Sequence, residues 1–118
     1  MTSAQILVIE DDETLRTEVS DWLSFEGYKV IKASNGKEGV ELALQHLPDL
    51  VISDINMPEK SGYRVLIEMR TNPTTALIPV IYLTARVRRV DVRYGMEIGA
   101  EDYITKPFTN EELLAAVK

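Results

Sequence analysis

The chain has 118 residues, 45% hydrophobic and 27% charged, with no cysteine and a formal charge of −6; this suits one domain with its own core and leaves little room for a second. Without cysteine there is no disulfide framework, no thiolate metal site and no cysteine nucleophile. Nineteen acidic against thirteen basic side chains argue against nucleic-acid binding by this domain, and the lack of a long apolar run or a signal-peptide pattern makes a cytoplasmic, membrane-free setting the expectation.

In chain order, Ile6-Leu7-Val8-Ile9 is the first predicted strand. A helix follows, with Leu15, Val19, Trp22 and Leu23 on one stripe, Asp12 as N-cap, Glu13 as a first-turn acid and Gly27 as the stop. Tyr28-Lys29-Val30-Ile31 is the second strand. The second helix opens at Ser34 or Asn35, carries Val40, Ala43, Leu44 and Leu47, and closes at Pro48; His46 near its end reads as a surface or cap residue. Leu50-Val51-Ile52-Ser53 is the third strand, and Val65, Leu66 and Met69 sit on a third helix that ends before Asn72-Pro73. Pro79-Val80-Ile81-Tyr82-Leu83 is the fourth strand. Val87, Val90, Tyr94 and Ile98 predict a fourth helix stopped by Gly99, and Asp102-Tyr103-Ile104 is a weak fifth strand. Thr109 and Glu112 form a capping box for a fifth helix carrying Leu113, Leu114 and Val117.

Strands that alternate with helices, three of them apolar on both faces, predict an α/β fold: a doubly wound, five-stranded parallel sheet. Of the Rossmann-like and flavodoxin-like strand orders, five strands favour the second, 2-1-3-4-5. Ligands bind such sheets at the carboxyl ends of the strands. There the first strand carries Glu10, Asp11, Asp12 and Glu13, the third Asp54 and Asn56, the fourth Thr84, and the fifth Thr105, Lys106 and Pro107.

Glu10, Asp11 and Asp54 would crowd three negative charges into one cleft, with Lys106 returning one. Such crowding raises carboxylate pKa values unless a cation intervenes. Asp oxygens, a backbone carbonyl and waters suit Mg2+; a single histidine and no cysteine make zinc a poor candidate. A carboxylate beside Mg2+, an ammonium and a hydroxyl make a cradle for a phosphoryl group. Asp54 could attack phosphorus, with Lys106 and Thr84 neutralising or hydrogen-bonding the phosphoryl oxygens.

These residues carry a resemblance. Ile-Leu-Val-Ile-Glu-Asp-Asp at 6–12, Ser-Asp-Ile-Asn-Met-Pro at 53–58 with Gly62 after it, Leu-Thr-Ala at 83–85, and Gly-Ala-Glu-Asp-Tyr-Ile-Thr-Lys-Pro-Phe at 99–108 make the chain similar, over essentially its whole length, to the receiver domain of two-component response regulators. The resemblance implies that Asp54 is the phosphoacceptor, that Asp11 binds Mg2+ directly and Glu10 directly or through water, and that the backbone carbonyl of Asn56 completes the metal site. It implies that Thr84 and Lys106 bind the phosphoryl group, that Tyr103 is a switch aromatic coupled to Thr84, and that the Lys106-Pro107 bond is cis. The donor would be a sensor histidine kinase. The domain would catalyse only its own phosphorylation and dephosphorylation, and would switch the surface of the fourth helix, fifth strand and fifth helix to control an output domain or effector protein, often a second copy of itself.

Two departures stand out. Relatives that dimerise on that surface pair basic fourth-helix residues, here Arg86, Arg88, Arg89 and Arg93, with acids such as Glu101 and Asp102, but usually also carry an arginine in the fifth helix, where this chain has Ala115 and Ala116. The apolar stripe of the fifth helix is still running at Lys118, so residues 1–118 are expected to be one receiver domain with a shortened last helix, either stand-alone or part of a longer regulator. Three rivals fit less well. A flavin or nucleotide enzyme needs a Gly- or Ser/Thr-rich loop after the first strand, where this chain has acids. A haloacid-dehalogenase-like phosphatase carries its nucleophile on the first strand. A degenerate docking module would lack cleft residues that are present here.

Overall fold

In the computed structural model, which describes residues 4–84, 94, 96 and 99–117, strands form where β-branched residues cluster: β1 (Gln5–Ile9), β2 (Lys29–Ala33), β3 (Leu50–Asp54), β4 (Val80–Thr84) and β5 (Asp102–Thr105). They pair in parallel in the order β2-β1-β3-β4-β5, as the alternation of elements predicts. Four helices are present among the described residues: α1 (Glu13–Phe25), α2 (Gly36–His46), α3 (Gly62–Thr71) and a C-terminal helix (Asn110–Val117). The predicted fourth helix at 87–98, with Arg86, Arg88, Arg89 and Arg93, falls almost wholly outside the described residues.

The sheet separates two apolar cores. Leu7, Ile9, Val51, Val80 and Tyr82 face α2 and α3, meeting Ala43, Val65, Leu66 and Met69. Ile6, Val8, Ile52, Ile81, Leu83 and Ile104 face the other way, meeting Val19, Leu23 and Leu113 of α1 and the C-terminal helix. β1, β3 and β4 are covered on both faces and read as unbroken apolar runs for that reason. β2 and β5, at the edges, mix exposed, half-buried and buried positions.

The caps follow the local chemistry. The Asp12 carboxylate accepts from the Thr14 and Leu15 amides at 3.0 and 3.3 Å, and Asn35, not Ser34, caps α2 by accepting from Glu38 N at 2.8 Å. Thr109 and Glu112 exchange the reciprocal bonds of a capping box. One helix face departs from its sequence pattern. Val40 and Ala43 pack inward as the pattern predicts, but Leu44 and Leu47 are exposed, and α2 also buries Gly36 and Gly39. Small residues win because the helix lies very close to the sheet: a Cβ on Gly39 would run into the Ile9 side chain.

Among the described residues, Tyr82 is the bulkiest fully buried side chain. Its hydroxyl donates to the carbonyl of Gly62, as a buried hydroxyl must to avoid a stranded donor. Burial, then the neighbouring Tyr103 and Tyr63, push its pKa far above the usual 10. Stability from this group is therefore full below about pH 10 and falls as the unfolded chain ionises above it. Tyr82→Phe should cost about 1 kcal/mol at neutral pH. That deficit should shrink by about 1.4 kcal/mol per pH unit above roughly pH 10. Urea midpoints of both proteins across that range check this; a constant difference would refute it.

Candidate functional site

Three carboxylates meet at the carboxyl ends of β1 and β3. Glu10 directly follows β1 and stays in the ladder, its amide donating to Ala33 O at 3.0 Å. Asp11 comes next, at the exposed rim, and Asp54 is the last residue of β3. One carboxylate oxygen from each of Glu10, Asp11 and Asp54 lies within 4.8 Å of the others. Glu10 and Asp54 are 1% and 6% exposed, so water screens their repulsion poorly.

Among the described residues, one ammonium answers them. Lys106 Nζ lies 3.0 Å from Glu10 Oε1 and 3.5 Å from Asp54 Oδ2. The Lys106 amide donates to Thr84 O at 2.7 Å, so the lysine, which directly follows β5, is held against the end of β4. The Lys106-Pro107 bond is cis, as the resemblance implies. Lys106 by itself does not balance three carboxylates. Burial above all, then the Asp54 charge, pushes the Glu10 carboxyl up to about 7, although Lys106 pulls the other way. The imbalance, with an all-oxygen donor set and one ligand left at the solvent edge, fits a small divalent cation that prefers oxygen and keeps several waters, which describes Mg2+.

Of the remaining predicted residues, Asn56 and Thr84 sit at the same strand ends. Asn56 is exposed at the mouth, and its amide donates to Asp54 Oδ1 at 3.4 Å. Thr84 ends β4, 1% exposed, in register with Thr105. Asp54 pairs in register with Leu83 of the same strand. Tyr103 lies one strand over, in register with Tyr82 and half-buried against the α2–α3 core. His46 is exposed in the last turn of α2, at the other end of that helix from the rim, as predicted. Met57 is buried behind the Asp54 loop and Trp22 is half-buried.

The sequence pattern gives no role to three supporting residues, although Gly62 belongs to a quoted motif. Arg16 Nη1 donates to Glu10 O at 2.8 Å, tying α1 to the turn that carries Glu10 and Asp11; a helical side chain leans toward its own N-terminus, so an arginine one turn into α1 is a candidate for such a contact. Gly62 packs against the Asp54 carbonyl and donates to Ile55 O at 2.8 Å. Tyr82 reaches that same glycine.

The sequence profile of the family described as the response regulator receiver domain matches residues 6–118. The chain is 38% identical to the protein PilH of Pseudomonas aeruginosa over 114 residues, covering 97% of this chain and 94% of PilH. Among solved structures it is similar to the chemotaxis protein CheY4 of Vibrio cholerae (TM-score 0.94, 30% identity, 98% of this chain and 97% of that one). It is also similar to the receiver domain of the sensor histidine kinase PA1611 of Pseudomonas aeruginosa, solved with a magnesium ion coordinated in its active-site cleft (TM-score 0.88, 29% identity, 97% and 93% covered). The chain spans about half the length of the other curated relatives it matches, between 45% and 52% of each. Among the described residues, no helix is long and apolar enough to cross a membrane.

Proposed function

We propose that this chain, which belongs to the response regulator receiver domain family, is a signalling switch that accepts a phosphoryl group on Asp54 from a sensor histidine kinase. The observation that carries this reading is the juxtaposition at one strand-end rim: a buried Asp54 carboxylate, two further carboxylates within 4.8 Å, and the Lys106 ammonium 3.5 Å away. An Asp54 oxygen attacks phosphorus; an O–P bond forms as the P–N bond to the donor imidazole breaks, and the departing imidazole takes up a proton. Lys106, already beside Asp54, stays with the transferred group and balances its oxygens. Thr84, fixed at the end of the adjacent strand, offers its hydroxyl to the same group.

Glu10, Asp11 and Asp54, with the Asn56 carbonyl, would hold Mg2+, whose charge favours phosphoryl transfer to a carboxylate. The donor set of this chain and the magnesium-bound PA1611 receiver domain support that assignment. Tyr103 serves as the switch aromatic, responding to Thr84. The face bearing Glu101, Asp102 and the C-terminal helix is read by an output domain, an effector or a second copy. A cytoplasmic setting and no direct contact with nucleic acid or membrane go with this role, and the chain catalyses only the gain and loss of its own phosphoryl group.

Incubation with acetyl phosphate and Mg2+, then borohydride reduction and peptide mapping, tests the reading. Reduction converts a phosphorylated aspartate to homoserine, expected at position 54 and lost in chelator. A label at another residue, or none, defeats the reading.

A further inference from the structure

We propose that Tyr82 is a positioning residue for the switch: its ring is the surface on which Tyr103 rests, and its hydroxyl ties that surface to the loop leaving Asp54. This rests on Asp54 as phosphoacceptor and Tyr103 as switch aromatic, and adds a connection separate from Thr84.

The geometry starts with register. Tyr82 and Tyr103 are direct partners on neighbouring parallel strands, so their side chains leave the sheet on the same face. The ring centroids are 5.4 Å apart with the planes tilted by 52°, within the range of favourable aromatic contact. Tyr103 is half-buried and Tyr82 fully buried, so Tyr82 forms the inner wall.

That wall is held on two sides. Tyr63 packs edge-on against the Tyr82 ring, centroids 5.5 Å apart at 78°, and Tyr94 packs edge-on against Tyr63 at 5.0 Å and 86°. The Tyr82 hydroxyl donates to Gly62 O, and Gly62 N donates to Ile55 O at 2.8 Å. Ile55 is the residue after Asp54, and Gly62 Cα lies so close to Asp54 O that a Cβ there would clash. Two hydrogen bonds and one ring contact thus lead from the Asp54 backbone to Tyr103. A phenylalanine would fill the space as well, but only a tyrosine joins it to the α3 N-terminus. A shift of the 55–62 loop around a phosphorylated Asp54 therefore moves the surface under Tyr103. Packed rings and hydrogen bonds of this kind transmit coupling when they bias an element with two arrangements.

The test uses fluorotyrosine incorporation and fluorine NMR. The chain has five tyrosines, so single Tyr→Phe replacements assign each resonance, and Tyr28→Phe serves as the control outside the cluster. In the metal-free protein, Tyr82→Leu should shift the Tyr103 resonance and raise its solvent isotope effect, whereas Tyr82→Phe, which keeps the ring, should leave both as in the parent. With Mg2+ and saturating beryllofluoride, Tyr82→Phe should lose about half or more of the parent Tyr103 shift, although the signal of bound beryllofluoride is unchanged.

An unmoved Tyr103 resonance in metal-free Tyr82→Leu, or a full Tyr103 response in Tyr82→Phe, overturns the proposal. A Tyr82→Leu protein shown by circular dichroism to be unfolded passes the decision to Tyr82→Phe. Absence of bound beryllofluoride in the parent would instead count against the phosphoacceptor reading, and the metal-free comparison would still decide whether Tyr82 positions Tyr103.

Discussion

Asp54→Asn is expected to have two effects of opposite sign: it abolishes acyl phosphate formation, and it stabilises the chain in the absence of metal. The first follows from chemistry, since an amide oxygen is a far poorer nucleophile and cannot form the mixed anhydride. Intact mass after incubation with acetyl phosphate and Mg2+ should show no phosphoryl increment. The second follows from the crowding of Glu10, Asp11 and Asp54 within 4.8 Å. Glu10 titrates at about 7 for reasons of burial first and the Asp54 charge second. A carboxyl raised in the folded state contributes stability that is complete below its unfolded value near 4.5 and is lost as pH rises through about 7. Asparagine at 54 removes one source of that rise.

The gain should be about 1–2 kcal/mol near pH 8, since each pKa unit is worth roughly 1.4 kcal/mol. It should vanish near pH 4, where Glu10 is protonated in both states. The lost contact between Lys106 and Asp54 at 3.5 Å is an opposing cost, small because the lysine is partly solvated and keeps Glu10. Urea denaturation in chelator at the two pH values checks this. A variant no more stable than the parent near pH 8 would mean that Lys106 alone already balances the cluster.

What the sequence makes legible divides along physical lines. Strand order and rim residues were readable because β1, β3 and β4, buried on both faces, spell unbroken apolar runs, each followed by its polar end group. Asp12, Thr109 and Glu112 were readable as caps because a cap is a contact between residues two or three apart. The α2 stripe holds at Val40 and Ala43, which pack inward, but fails at Leu44 and Leu47, which lie exposed, because periodicity weighs large apolar residues and gives no weight to Gly39, which makes the close contact. Arg16 and Tyr82 were missed for another reason. Each acts on a backbone carbonyl, of Glu10 and of Gly62, and a backbone acceptor leaves no mark on side-chain pattern. The three acids and Lys106 announced a charge imbalance, but which acid sinks deepest, Glu10 at 1% exposure, depends on how far β1 runs beneath the rim.

Gly62→Ala is expected to lower stability by about 3 kcal/mol, at the upper end of what overpacking costs, and to slow phosphorylation with it. The reason is space, not backbone freedom. A Cβ here would overlap the carbonyl oxygen of Asp54 and press on Ile55 Cα and the Tyr82 ring. Neither backbone group can rotate aside as a side chain would. Relief requires α3 to move off the end of β3, which stretches the Gly62 N to Ile55 O bond of 2.8 Å and carries Asp54 with it. Gly27→Ala makes the contrast. Its φ of +94° disfavours alanine, yet nothing lies within 4 Å of the added Cβ, so that variant should lose only about 1 kcal/mol and phosphorylate at the parent rate. Urea denaturation and the initial rate with acetyl phosphate, measured on both, separate the two kinds of glycine. Equal stability losses, or an undiminished rate in Gly62→Ala, would mean that α3 shifts freely and does not fix the position of Asp54.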